Sequence, residues 1–189
     1  VHSLGAGAWY VITSSSDGSK LAVAGYGGNI WTSSDYGRSF AKISAIGTTE
    51  STQSWQCIAS DASGDRLVAI ESPNAFEDPR TTIWQTSEFG WESAYQEPSV
   101  TMEAKQLSGL YITSSSDGSK LAVADFDGSI WTSSDYGATW TENSVGGRKQ
   151  RWFDITSSSD GSKLAAVTSE GNLWTSVDSG KTWIHGHSF

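Results

Sequence analysis

Thirteen consecutive residues, Ile12 to Ala24 (ITSSSDGSKLAVA), recur letter for letter from Ile112 to Ala124, and a third copy (ITSSSDGSKLAAV) runs from Ile155 to Val167. A second shared block follows each copy: NIWTSSDYGRSF from Asn29, SIWTSSDYGATW from Ser129 and NLWTSVDSGKTW from Asn172. A degenerate member lies between the first two, WQCIASDASGDRLVAI from Trp55 and TIWQTSEFGWES from Thr82. Anchored on Trp31, Trp84, Trp131 and Trp174, the period is about 43 to 53 residues. Self-similarity on that scale belongs to arrays in which one supersecondary unit stacks on the next to share a core. The 189 residues are therefore four units, at approximately 1-45, 46-100, 101-145 and 146-189 of a single region 1-189.

Within a unit, β-branched and aromatic residues come in short runs separated by Asp-Gly, Gly-Gly or Ser-Gly, the pattern of short strands and tight turns. In the first unit the expected strands are Trp9 to Ser14, Lys20 to Tyr26, Asn29 to Ser34 and Ser39 to Ile43, turning at Asp17-Gly18, Gly27-Gly28 and Tyr36-Gly37. Connections this short join antiparallel neighbours only. A sheet of four such strands cannot bury both faces alone, so neighbouring sheets must stack around an axis. The predicted fold is all-β, a β-propeller of four-stranded antiparallel blades, four of them in this chain, with negligible helix.

Twelve Lys and Arg against 21 Asp and Glu give a net charge of -9, the wrong sign for tracking phosphate backbones or anionic lipid. Neither nucleic acid nor membrane is an expected partner, and no run of about 18 apolar residues offers a spanning helix. Cys57 is the single cysteine, which excludes an intrachain disulfide; in the apolar run WQCIAS it is expected to be a buried, inert thiol. The segment VHSLGAGAWY lacks the basic and apolar stretches of a signal peptide, and Val1 is expected to be a processing product or the edge of an excerpt. His187-Ser188-Phe189 lines up with His2-Ser3-Leu4, so both termini fall at one point of the repeat. A closed four-bladed ring, a section of a longer propeller and a combination of two chains all fit, and the expectation is a larger ring or array through self-association or a longer chain.

The second block resembles a known motif. Ser33 to Phe40, Ser133 to Trp140 and Ser176 to Trp183 look like the Asp-box, Ser-x-Asp-x-Gly-x-Thr-Trp, of the BNR repeat superfamily. The resemblance covers nearly the whole chain and implies propellers of the sialidase-like, sortilin-like or photosystem-assembly-factor-like kind, which share a fold more than a job. Physically the box reads as a staple: an Asp at a turn accepts backbone N–H groups, Gly two residues later supplies positive φ, and the aromatic pins the turn to the sheet. The expected structural set is Asp35, Gly37 and Phe40; Asp135, Gly137 and Trp140; and Asp178, Gly180 and Trp183. The second unit departs from it with Glu88 and Gly90 and no closing aromatic, so its turn should be looser.

On a repetitive scaffold, function is expected where the repeat is broken. The second unit carries a longer loop between its second and third strands, with Asn74, Phe76, Glu77 and Asp78 between two prolines and Arg80 just after them. The resemblance puts this loop and the inter-blade linkers on one rim, opposite the boxes, together with Tyr26, Asn29, Asp125, Asp127, Arg148, Arg151 and Glu170. Replacing 74–78 by a Gly-Ser bridge is expected to spare the fold and weaken binding. Nine of the ten Trp occupy repeat-equivalent positions and are expected between blades; Trp91 alone breaks the pattern and is a candidate contact.

No catalytic set and no cofactor are expected. The sialidase chemistry that the resemblance implies needs three arginines for the substrate carboxylate, and Arg38, Arg66, Arg80, Arg148 and Arg151 do not assemble such a clamp convincingly. Asp125-Phe126-Asp127-Gly128-Ser129 has the look of a calcium loop without its bidentate Glu, so a plain hairpin is expected. His185, His187 and His2 lack the companions of a zinc site. The functional expectation is a non-catalytic binding or structural module, extracellular or surface-displayed, that recognises a glycan or protein partner. The alternatives are a sialidase-type glycan-processing enzyme and an organelle-lumen assembly factor similar to the photosystem II assembly family.

Overall fold

A computed structural model describes residues 9–25, 29–43, 54–72, 81–86, 100–102 and 110–186. The chain forms two compact units, Val1–Gln106 and Leu107–Phe189. In the first, one antiparallel blade runs β1 (Trp9–Ser14), β2 (Leu21–Gly25), β3 (Ile30–Ser33) and β4 (Ala41–Ile43), and the next runs β5 (Ser54–Ser60), β6 (Leu67–Ser72), β7 (Thr81–Gln85) and β8 (Val100–Met102). In the second unit the third blade is β9 (Leu110–Ser114), β10 (Leu121–Asp125), β11 (Ile130–Ser133) and β12 (Thr141–Asn143). The fourth is β13 (Trp152–Ser157), β14 (Leu164–Thr168), β15 (Leu173–Ser176) and β16 (Ile184–His185). All pairings are between sequence neighbours, as the short turns require. The one helical element among the described residues is a 3-10 turn at Val145–Gly147, between the third and fourth blades.

β2 to β4 are shorter than their hydropathy suggests. Ser15 Oγ takes the Lys20 N–H at 3.0 Å and Asp35 Oδ1 takes the Ser39 N–H at 2.9 Å. These side chains draw the strand ends into turns before the ladder can extend.

A register shift interrupts the first pairing of three blades, between Trp9 and Val11, Trp55 and Cys57, and Trp152 and Asp154. In a regular strand, residues three apart point to opposite faces. The extra residue of a bulge puts them on the same face, so Trp55 joins Ile58 in one core and Trp152 joins Ile155 in the other. The third blade has Leu110 near this position instead of Trp, and its β9–β10 register runs unbroken.

Each unit has its own core between its two blades. In the first, Ala22, Ala24, Ile30 and Ile43 with Val11 meet Trp55, Ile58, Leu67, Ala69 and Trp84. In the second, Ala122, Ala124, Ile130 and Val145 with Tyr111 meet Trp152, Ile155, Leu164 and Ala166, backed by Trp174 and Trp183. Alanines on one face leave the volume that indoles fill from the other. A Trp buried this way removes roughly 150–250 Å² from water, worth at most ~6 kcal/mol before entropic costs. Trp55, Trp84 and Trp152 are buried as expected, while Trp9 is 37% exposed.

Polar pairs hold the same joint. Ser16 donates its N–H to Ala62 O at 2.8 Å, and Ser116 donates to Ser159 O at 2.7 Å. Ser60 Oγ donates to Ser14 O and Ser157 Oγ to Ser114 O, both at 3.0 Å, so each accepts the hydroxyl of the facing Thr13 or Thr113. Lys20 pairs with Asp65 across the first joint, and Lys120 Nζ donates to Asp160 O at 2.9 Å across the second. The thirteen-residue repeat is therefore the seam between consecutive blades of a unit.

Candidate functional site

Two groups of acidic side chains stand out, and those of the repeated blocks are engaged in turn hydrogen bonds. Ser33 Oγ donates to Asp35 Oδ1 at 2.8 Å and accepts the Gly37 N–H at 2.9 Å, while Asp35 accepts the N–H and hydroxyl of Ser39 at 2.9 and 2.6 Å. The same net joins Ser133, Asp135, Gly137 and Thr139, and again Ser176, Asp178, Gly180 and Thr182. Trp140 and Trp183 donate Nε1–H to the carbonyls of Gly137 and Gly180 at 2.9 Å, the pinning expected of the box aromatic. Phe40 has no such donor.

Gly37, Gly137 and Gly180 have positive φ, and so do Tyr36, Tyr136 and Ser179 just before them, near 60°. A side chain in that region is strained, and the four hydrogen bonds closing each box offset the strain. The hydroxyl and N–H of Ser39 hold Asp35 at about 2, those of Thr182 hold Asp178 at about 2, and Thr139 lowers Asp135.

A second, smaller net closes each β1–β2-type turn. Asp17 is held at about 2 by the Ser15 hydroxyl and then Ser19, Asp117 likewise by Ser115 and Ser119, and Asp160 is lowered by Ser158. These carboxylates are staples whose Oδ1 accepts from the serines of the turn. In the second blade Thr86 stands where Ser33 stands in the first; its hydroxyl accepts Leu67 N–H at 2.8 Å and donates to Asp65 O at 3.2 Å. Glu88 and Gly90 lie outside the described residues.

The second group lies on one rim of the second unit. Asp125 ends β10 and closes a tight hairpin: its N–H donates to Ser129 O at 3.2 Å and its carbonyl accepts Gly128 N–H at 3.0 Å. Its carboxylate occupies the space that a side chain at Gly128 would need, since a Cβ there would lie 1.9 Å from Oδ2. Burial pushes Asp125 up to about 6; the Asp127 N–H and Lys149 pull it down, and the charges of Asp127 and Glu142 push it further up. Glu142 itself accepts the Ser129 hydroxyl at 2.7 Å.

The linker after β12 folds back onto this hairpin. Val145 plugs the core, Gly146 at φ 69° passes over Trp174, where a Cβ would come within 2.7 Å of Cη2, and Gln150 donates its N–H to Gly128 O at 3.2 Å. Arg151 Nε then sits 3.4 Å from Asp127 Oδ1, and its carbonyl accepts the Ser169 N–H at 2.8 Å, which sets the Glu170 turn beside it. The structure thus brings Asp125, Asp127, Arg151 and Glu170 together, with Arg148 and Lys149 exposed on the same linker.

Phe153 adds an exposed ring, 6.0 Å from that of Tyr111. Strand periodicity does not reveal this exposure, because the adjacent register shift lies between Trp152 and Asp154. Chemically this is a mixed-charge surface: three of the chain's 12 basic residues lie within four positions, against three acids.

Other candidates separate from it. Asn29 is half-buried just before β3 in the first unit. Arg38 lies over the Tyr36 ring at 5.8 Å and the Arg66 N–H closes the β5–β6 turn on Asp61, so both belong to turns at the box end of their blades. Tyr26, Asn74, Phe76, Glu77, Asp78, Arg80 and Trp91 lie outside the described residues, as do His2 and His187. His185 packs on Trp174 at 4.7 Å, with Nε2 3.2 Å from Asn172 Oδ1. Among the described residues no group of three or more His, Cys, Asp or Glu could hold a metal ion, and no helix is long and apolar enough to cross a membrane. Cys57 is buried and desolvation raises its thiol far above the ordinary range.

Residues 30–43 and 130–143 match the BNR-Asp box repeat. No curated protein matches the sequence. Among solved structures the chain is similar to a GH74 enzyme of Niastella koreensis, at 15% identity and TM-score 0.66, over 93% of this chain and 24% of that one. It is similar to a chain of a nidogen/laminin complex at 13% identity and TM-score 0.69, over 98% and 65%. It is also similar to a GH74 xyloglucanase from Xanthomonas campestris at 15% identity and TM-score 0.71, over 97% and 31%. The chain spans less than two thirds of the length of each of these chains, and at such identities the likeness is one of fold. With its four four-stranded antiparallel blades, the chain has the β-propeller fold and carries BNR-Asp box repeats at residues 30–43 and 130–143.

Proposed function

We propose that the chain is a non-catalytic propeller module, extracellular or surface-displayed, that binds a protein or glycan partner through the rim formed by Asp125, Asp127, Arg148, Arg151 and Glu170. The observation that carries this reading is the split between two kinds of acid. Carboxylates of the repeat are consumed by turn hydrogen bonds, whereas the rim gathers the residues by which otherwise interchangeable blades differ. Binding on a repeat scaffold depends on such departures, since repeat-identical surface carries no address. Alternating charges beside one exposed ring suit the polar surface of a protein better than the stacked face of a sugar. The nidogen/laminin complex is a protein–protein assembly that contains a similar chain, which is in keeping with this reading. The loop with Asn74 to Arg80 is proposed as a second contact on the same grounds of departure from the repeat.

The test is a glycan array and a protein array probed with the wild-type chain and with the charge-swapped variant Asp127→Arg/Arg151→Asp, which keeps an ion pair in place. Binding should fall at least tenfold in the variant, about 1.4 kcal/mol. Equal binding by both, or turnover of a fluorogenic sialoside above the enzyme-free blank, would overturn the proposal.

A further inference from the structure

The joint inside each unit uses one face of the leading blade and the opposite face of the following one, and among the described residues an exposed example of each face is found. In the third blade the leading face is Thr113, Ser116, Lys120, Ala124 and Ile130; in the fourth the following face is Trp152, Ile155, Ser157 and Gly161. The leading positions of the fourth blade are Thr156, Ser159, Lys163, Val167 and Leu173. There Leu173 is 41% and Val167 36% exposed, whereas Ile130 and Ala124 are both 0%. The following positions of the first blade are Trp9, Ile12, Ser14 and Gly18. Trp9 is 37% and Ile12 66% exposed, against 0% for Trp152 and 5% for Ile155. A Cβ on Gly18 would meet nothing within 4 Å, whereas one on Gly161 would lie 2.9 Å from Lys120 Cβ.

We propose that these two faces bind each other between copies of the chain, the fourth blade of one copy seating on the first blade of a second. The occupant is set by continuity with the two joints already formed, because the uncovered following face repeats Trp, Ile, Ser and Gly and the uncovered leading face repeats Thr, Ser and Lys at the same positions, with the apolar Val167 and Leu173 in place of Ala124 and Ile130. Ser159 would donate its N–H to the Ser16 carbonyl, as Ser116 donates to that of Ser159. Thr156 would meet the Ser14 hydroxyl, as Thr113 meets Ser157. Lys163 would reach the Asp17 carbonyl, as Lys120 reaches that of Asp160. Val167 and Leu173 would cover Ile12 and Trp9, removing the four exposed apolar side chains from water. The contact joins unlike surfaces, so it is head-to-tail, and each added copy presents the same pair of free faces, which builds rings or open arrays. This inference is independent of the rim's role in partner binding.

The experiment is sedimentation velocity of the wild-type chain, of Ile12→Lys and Leu173→Lys alone, and of an equimolar mixture of the two variants. Both substitutions fall on exposed side chains, and circular dichroism checks that each variant keeps its sheet. Wild type should grow in mass with concentration beyond the dimer. Each variant alone should remain monomeric. The mixture should form a dimer and nothing larger, because each variant supplies the intact face that the other lacks. A wild-type monomer at all concentrations overturns the proposal, whether its faces stay open or are protected from hydrogen exchange by closure within one chain. So does association that survives in both variants, or a mixture that stays monomeric.

Discussion

Ser116 in the third blade donates its backbone N–H to the carbonyl of Ser159 in the fourth at 2.7 Å, although the two serines occupy the same position of the same repeated block. One copy acts as donor and the next as acceptor. A block that fits its own copy on both sides can be repeated without change, which is why Ile12 to Ala24 and Ile112 to Ala124 can be identical. Substitutions in the block therefore act on the joint between blades as well as on the local turn.

Acid should loosen the staples. Asp17, Asp35, Asp117 and Asp178 titrate near 2 in the fold, below the ordinary 3.8, held down first by the hydroxyls of Ser15, Ser39, Ser115 and Thr182. Between those values the unfolded chain binds more protons than the folded one. The stability they contribute is therefore full above about pH 4 and lost as pH falls towards 2. Urea midpoints measured at falling pH should drop through this window, and Asp35→Asn with Asp178→Asn should flatten the drop.

Asp125 carries the opposite sign. Burial raises it to about 6, so between about pH 4 and 6 the folded chain binds the extra proton, and the associated stability is lost as pH rises through 6. Asp125→Asn should be more stable than wild type at neutral pH by on the order of 1–2 kcal/mol, with the difference vanishing near pH 4. Gly128→Ala, whose Cβ would collide with the carboxylate, should drive Asp125 into water and return its titration towards the ordinary value, read by carboxyl NMR.

Box substitutions should affect stability and leave recognition alone. Trp183→Phe keeps a ring 6.4 Å from that of Trp152 but removes the donor to Gly180 O, and should cost about 1 kcal/mol. Asp135→Ala, which strands the Ser133 and Thr139 donors, should cost about 1–2 kcal/mol. Both should match wild type on the arrays that test the rim; a box variant that folds and loses binding would move recognition to the other end of the blades.

Blade count, strand order and the turn chemistry of Asp35, Asp135 and Asp178 were legible because each is local and repeated: a run of four to seven residues, a turn, a two-residue offset. The bulges were not, because a Trp three residues before an Ile reads as opposite faces until the extra residue is known. Nor was the strained φ of Tyr36 and Tyr136, which the box imposes against the preference of a bulky side chain. On the rim, Asp125, Asp127, Arg151 and Glu170 could be named from their departure from the repeat. The filling of the Gly128 notch and the exposure of Phe153 depend on how the linker folds back, which no pattern encodes.

The seam is tested most directly by two alanine substitutions at equivalent positions of the first unit. Gly18 and Gly64 both have φ near 70°, so Ala at either site carries the same backbone strain, about 1 kcal/mol. A Cβ on Gly18 meets nothing within 4 Å, whereas one on Gly64 lies 3.0 Å from the Cβ atoms of both Lys20 and Ser15 in the preceding blade. Urea unfolding of Gly18→Ala and Gly64→Ala at low protein concentration separates the two contributions. If the repeated block joins the blades, Gly64→Ala is less stable than Gly18→Ala by a further 1 kcal/mol or more, a typical cost of overpacking. Equal destabilisation by the two would show that the block shapes only its own turn and would contradict the account.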